Sequence, residues 1–276
     1  MGMQISNVFI DSFDAEVKLA YQADKALRDT VRVKTGVIGS THRFPVAGSG
    51  VATEHNRGND VIAMNASRDK VTATLTDWDA FDYEDIMDIE KINFDDKKII
   101  ANNTAKAIGR REDQLIIDAL DTGSTTTVGD GNAAFSLILV QSAARTLDAL
   151  NVPSEDRCII YTAKQKEQFL GSTTVTSSDF NTVKALVAGD IDTFYGFKFI
   201  TVGARTEGGL PRPAGVEQDC YAYHKQAIGL AIGKDMTSMV DWIAEKLAWQ
   251  IGCVYSAGAI VIDAEGIVTI HTDDSP

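Results

Sequence analysis

Residues 94–120 read FDDKKIIANNTAKAIGRREDQLIIDAL, and the periodicity of this stretch decides the fold. Ile100, Ile108, Leu115, Ala119 and Leu120 fall on one stripe at helical spacing, so the sequence predicts a single helix over residues 95–121. Asp95 and Asp96 suit its start, where unpaired N–H groups and the helix dipole favour anions. Gly123 suits its stop. Gly109, in the interior, costs about 1 kcal/mol relative to alanine. At ~1.5 Å per residue such a helix is roughly 40 Å long, comparable with the width of the whole globule. It is expected to act as a beam across the fold.

Immediately upstream, residues 77–96 hold nine acids, Asp77, Asp79, Asp82, Glu84, Asp85, Asp88, Glu90, Asp95 and Asp96, against one base, Lys91. Interleaved Trp78, Phe81, Tyr83 and Ile86 give the segment something to bury, so it reads as an acidic face rather than an acidic tail. Residues 41–76 read as extended ribbon. Phe44-Pro45-Val46 leads into the polar stretch GSGVATEHNRGND, and Val71–Thr76 alternates like a strand. A connection this long inside a compact domain is typically functional or interactive. Residues 1–40 carry a weak helical pattern around Val17, Leu19 and Ala20. They predict either a poorly ordered terminus or an arm that orders against another part of the fold or another subunit.

Downstream, FSLILVQSAARTLDALNVP predicts a second helix ended by Pro153. Cys158–Tyr161 predicts a buried strand, AKQKEQFL and FNTVKALVA short helices, and Phe197–Thr201 another strand. Cys220–Ile232 resumes extended character. Residues 236–256 fit both a helix and a strand face, because their apolar positions satisfy either period. AIVID-AEG-IVTIHT predicts a β-hairpin turning at Gly266.

The chain has 276 residues, 44% apolar and 24% charged, as an ordinary globular protein does. Its 26 basic and 39 acidic residues leave a net charge of −13. Such a surface repels phosphate, so gripping nucleic acid by a basic face is disfavoured. No apolar run approaches a membrane span, and MGMQISNVFIDSF lacks the regions of a signal peptide. Cys158, Cys220 and Cys253 are far apart and predict reduced, buried thiols.

The motifs of chemistry are missing. No phosphate loop, G-x-G-x-x-G or G-x-S-x-G occurs. His42, His55, His224 and His271 are scattered, and Glu54-His55 reads as a solvated loop pair. An EF-hand needs glycine at its sixth position, where counting from Asp77 finds Asp82. No cofactor, no metal site and no catalytic residue is therefore expected.

The order of these features, from arm through FPVAGSGVATEHNRGNDV, acidic run and long helix to FYGFKFITV, CYAYHKQAIGLAIG and GAIVIDAEGIVTI, resembles the major capsid proteins of tailed bacteriophages. The likeness is greatest to those of short-tailed phages with the Hong Kong 97 fold. The resemblance implies an α+β fold with an N-terminal arm (1–40), an extended β-ribbon loop (41–80) and a peripheral domain with its spine helix (81–132). An axial domain (133–232) follows, then a return to the peripheral sheet (233–276), which makes 236–256 strand. It implies self-assembly through pentamers and hexamers into an icosahedral shell enclosing double-stranded DNA without sequence-specific binding. Scaffold, portal and cement proteins would be further partners, with no membrane. The shell would belong to the virion and be assembled in the host cytoplasm. An encapsulin-type nanocompartment shell shares the fold and is the alternative, and a soluble α+β enzyme is the rival of a different class. Some relatives crosslink a loop lysine, whereas Lys70 reads as a solvated charge. The ribbon, through Arg57, Arg68 and Lys70, is expected to cover either the acidic segment of a neighbouring subunit, with Asp82, Glu84, Asp85 and Asp88, or that neighbour's spine.

Overall fold

The computed structural model describes residues 24–58, 60–89, 96–171, 193–203, 207–212 and 217–274. The helix expected in FNTVKALVA and the pattern around Val17 lie outside the described residues. In chain order the ribbon and its surroundings comprise β1 (Arg32–Lys34), β2 (Thr41–Ala47), β3 (Arg68–Thr74), β4 (Thr76–Asp85) and a helical turn α1 (Ile86–Ile89). The long helix α2 (Asp96–Gly123) leads to β5 (Thr126–Val128), α3 (Leu137–Ala149), β6 (Arg157–Tyr161) and α4 (Ala163–Gly171). Then follow β7 (Thr193–Phe194), β8 (Phe197–Thr201), β9 (Glu217–His224), β10 (Ile228–Ile243), β11 (Ala248–Val261) and β12 (Ile267–Asp273).

These strands form three sheets. A four-stranded sheet has the order β1-β10-β11-β4, a six-stranded sheet β5-β12-β9-β6-β8-β7, and β2 pairs only with β3. The helix expected over 95–121 is α2. Its deepest side chains are Ile108, Ile116, Ile117 and Leu120, so the buried stripe is broader than the expected one, and Leu115 and Ala119 lie at its margin. The helix rests on β11 and β4. Thr104 reaches the Cys253 thiol at 3.7 Å, and the Arg111 guanidinium stacks 3.7 Å above the Trp78 ring. Its C-terminal half joins a core continuous with β6, β9 and β12, where Tyr161, Tyr221 and Tyr223 are fully buried.

Segment 236–256 is strand, as the resemblance requires. β10 and β11 pair antiparallel from Ile228↔Val261 to Ile243↔Ala248 around a turn at Ala244–Leu247. The expected terminal hairpin does not form. The Ile262 and Asp263 N–H groups both bond the Ala227 carbonyl, and a 3₁₀ turn (Ala264–Gly266) carries the chain into the other sheet. There β12 lies antiparallel to β9 and parallel to β5. The last strand therefore does not return to the four-stranded sheet. Likewise β4 starts at Thr76, so the end of the 41–80 segment belongs to that sheet and not to the ribbon.

The segment after Asp24 is fastened across the middle of α2. Leu27 and Val31 insert into the core. The buried Asp113 carboxylate accepts the Ala26 N–H at 3.0 Å and the Leu27 N–H at 3.1 Å. Arg28 donates to both oxygens of Asp235, at 3.0 and 2.8 Å, and lies 3.7 Å from Glu112. Lys106 meets Asp24 at 3.6 Å.

Candidate assembly surfaces

The ribbon has almost no core of its own. Phe44 and Ala73 bury themselves against Ala231 at its root. Gly258 admits this root, since a Cβ there would lie 1.9 Å from the Thr74 carbonyl oxygen. Beyond the root the loop is bare: Val61 is 87% and Ile62 67% exposed, and Val51 and Met64 are exposed as well. Leaving four large apolar side chains in water forgoes roughly 1.5–3 kcal/mol each relative to full burial.

The register Thr41↔Thr74 to Ala47↔Arg68 fixes the ribbon's two faces. Phe44, Val71 and Ala73 point to the root's small core. Arg68, Lys70 and Arg43, opposite Thr72, share the other face and are all exposed. Arg57 lies at the turn of the loop, also exposed. Arg43 was not anticipated, because its alignment with Arg68 and Lys70 needs the cross-strand register, which spacing along the chain does not carry.

The acidic run divides between two faces of β4. Trp78, Ala80, Asp82 and Glu84 share the face toward α2, with Trp78 under Arg111 and Glu84 3.8 Å from Lys97. Asp77, Asp79, Tyr83 and Asp85 lie on the opposite face. Glu84, expected at the acidic contact surface, is therefore withdrawn from it: it is 4% exposed and paired within its own chain. Asp82 is exposed and its carboxylate accepts the Tyr83 N–H at 2.8 Å. Asp85 is exposed and caps α1 by accepting the Met87 N–H at 2.7 Å. Asp88 falls in α1, and its side chain lies outside the described residues. The Lys246 ammonium sits 3.6 Å over the Tyr83 ring, so a cation already occupies part of this end.

Two further groups show what the buried titratable residues do. Burial pushes the Cys158 thiol up to about 11 and raises Cys220 further, which leaves both as protonated, unreactive thiols at neutral pH. His224 is buried, its pKa is lowered by desolvation, and its Nδ1 accepts the Gln226 N–H at 3.2 Å in a tight turn. Among the described residues, no group of three or more His, Cys, Asp or Glu side chains could hold a metal ion, and no helix is long and apolar enough to cross a membrane.

The architecture has solved counterparts. A capsid chain of the cyanophage P-SCSP1u superposes with a TM-score of 0.79 at 16% identity, over 100% of this chain and 96% of that one. A chain from the head of Helicobacter pylori bacteriophage KHP40 does so at 0.77 and 10% identity, over 100% and 99%. A Mycobacterium phage Che8 chain does so at 0.76 and 17% identity, over 96% and 97%. At these identities the likeness shows the fold, which is the Hong Kong 97-type capsid fold that the sequence resembles. No curated protein matches the sequence. Residues 5–274 match the family described as phage capsid protein, and with nearly the whole length matched the chain belongs to that family.

Proposed function

We propose that this capsid protein is the major shell subunit of a tailed phage, assembling through hexamers and pentamers into an icosahedral container for double-stranded DNA. The observation that carries this reading is the ribbon. Its loop exposes Val51, Val61, Ile62 and Met64 and one face gathers Arg43, Arg68 and Lys70, and nothing described in its own chain covers either. Head-to-tail rings join one surface of a subunit to a different surface of the next. A cationic ribbon and the acidic segment, with Asp82 exposed on one face of β4, Asp85 exposed on the other and Asp88 following in α1, are two different surfaces that such a ring could join. The chain's net charge of −13 keeps enclosed DNA from adhering to the wall. In this reading residues 41–80 are the extended loop, α2 the spine, and the six-stranded sheet the axial domain. Scaffold, portal and cement proteins are its partners, the host cytoplasm is where it assembles, and its role is structural and not catalytic.

Light scattering and negative-stain microscopy of the purified protein, alone and with any scaffold encoded beside its gene, test the proposal. Closed shells or rings of five and six support it, and a small stable oligomer under both conditions overturns it. Particles filled with protein cargo and lacking DNA would move the assignment to a nanocompartment. Charge reversal at Arg57 and Arg68 is expected to weaken assembly, with partial rescue by reversal at Asp82 and Asp85. Each exposed pair contributes only ~0–1 kcal/mol, so the effect arises from its repetition around a ring.

A further inference from the structure

The edge of the four-stranded sheet is open along distal β10. β1 pairs with this strand only at Gly229, Leu230 and Ala231, and the Val37 N–H bonds the Ile232 carbonyl. Beyond that point no described strand lies on the side away from β11. A bulge between Lys234 and Thr237 closes one end of the open stretch. It is fixed locally: the Asp235 carboxylate accepts the Met236 N–H at 2.9 Å, the Asp235 carbonyl accepts the Thr237 hydroxyl at 3.0 Å, and Arg28 holds the Asp235 side chain. The turn at residues 244–247 closes the other end. Residues 237–243 remain, and alternate ones turn unpaired N–H and C=O groups outward.

Open edges invite pairing, and folds usually blunt them with proline, lysine or inward charges. The stretch reads TSMVDWI, with neither proline nor lysine and a single acid, in a chain whose net charge is −13. It is apolar on both faces. Ser238, Val240 and Trp242 stand opposite Cys253, Ile251 and Trp249, on the face that carries α2, as Thr104 at Cys253 and Lys97 over Trp249 show. Thr237, Met239 and Asp241 stand on the other face. Val240 is 53% and Trp242 40% exposed, and Met239 is uncovered as well. A strand added at this edge covers both faces at once, which an element laid on one face does not.

We propose that the occupant is the same stretch of a second copy, paired antiparallel across a two-fold axis through Val240, so that two four-stranded sheets run on as one. Such an axis stands perpendicular to the sheet and keeps each side chain on its own face, so the pairing centres on a residue and not between two. Centred on Asp241, it sets two carboxylates directly opposite each other. Centred on Met239, it overlaps only residues 237–241. Centred on Val240, it uses the whole open stretch: Val240 meets its own copy, Trp242 stands opposite Ser238, Met239 opposite Asp241, and Thr237 opposite Ile243. The two Trp242 rings then flank the Val240 pair between the two α2 helices. The contact of ribbon with acidic segment is head-to-tail and builds rings, whereas this one is isologous and joins one ring to the next. For that role it rests on the reading of the chain as a shell subunit. A contact this short is weak alone and gains strength from its repetition around each ring.

Cysteine crosslinking of the full chain with copper–phenanthroline tests the register. Directly opposite Cβ atoms lie ~4.5–5.5 Å apart, near disulfide range, and positions displaced by two residues lie ~8 Å apart. Val240→Cys alone is therefore expected to form a disulfide dimer at least about tenfold faster than Met239→Cys or Asp241→Cys alone. An equimolar mixture of Met239→Cys and Asp241→Cys should give the mixed dimer well ahead of either variant by itself. That pair lies on the face away from Cys253, so it carries the test where Val240→Cys bridges within its own chain. Cys158, Cys220 and Cys253 are buried and add no background. Equal rates in every arm would mean random collision and would overturn the proposal. Absence of fast dimers in preparations that microscopy shows as rings or shells would overturn it too, and would leave the shell reading standing. Fast Val240→Cys dimers in a protein that forms neither rings nor shells would support the pairing and count against the shell reading.

Discussion

The two halves of β10 both carry large apolar side chains, and these have opposite fates. Residues 228–232 are all buried, whereas residues 234–242 are all exposed, including Met236, Met239, Val240 and Trp242. The proximal half has β1 on one side, β11 on the other and the core beneath it. The distal half keeps only β11 as a strand partner among the described residues. The contrast shows that an apolar residue in this chain is not by itself a core residue.

The largest effect that would sharpen this contrast is a pair of truncations. Leu230→Ala, in the proximal half, is expected to cost ~2–5 kcal/mol by leaving a cavity in a packed core. Met239→Ala, half-exposed on the distal half, should stay within ~0.5 kcal/mol in the unassembled chain. Urea unfolding of both variants measures this, and equal losses would break the comparison.

A smaller effect is expected at the boundary between the halves. The Arg28 guanidinium holds the Asp235 carboxyl below the usual aspartate range. A carboxyl depressed in the folded state adds stability above its unfolded value of ~3.9, and that contribution disappears as pH falls through the folded value. Arg28→Gln should therefore cost about 1 kcal/mol at neutral pH, discounted for the exposure of Asp235, with the deficit shrinking below pH ~4. Urea midpoints from pH 7 downward supply the check, and a deficit that does not change with pH would remove the ion pair as its cause.

The smallest is a gain. A methyl at Gly109 would meet Lys25 at 3.6 Å, an ordinary contact, so Gly109→Ala should stabilise α2 by ~0.5–1 kcal/mol. Calorimetry should show a raised Tm. A lowered one would mean that the segment at Lys25 lies closer to α2 than this contact allows.

Legibility in the sequence followed the locality of the signal. α2, α3 and β8 were readable because each repeats one period over its own length and buries one face in its own chain, and β6 because its short apolar run is buried on both faces. Segment 236–256 gave no decisive period because distal β10 exposes apolar side chains on both faces, and only the family resemblance marked it as strand. The terminal hairpin was misread because Gly266 turns the chain equally well into a new sheet, and the acceptor that diverts it, Ala227, is remote in sequence. At the candidate surfaces, Arg57, Arg68 and Lys70 were found by composition and remained exposed. Glu84 was misplaced and Arg43 overlooked for one reason: strand phase and cross-strand register are not written in the charge pattern.

The bonds at Ala227 have a mechanical meaning. The chain passes between the two large sheets three times, from β4 through α2 to β5, from β9 to β10 and from β11 to β12, and the last two passages meet where Ile262 and Asp263 hydrogen-bond the Ala227 carbonyl. A carbonyl oxygen has two lone pairs, and here both are engaged by the returning strand. A force drawing the sheets apart thus loads two parallel strands of backbone riveted at one point. In a vessel wall under tension from within, this rivet would share with α2 the load passed from one half of the subunit to the other.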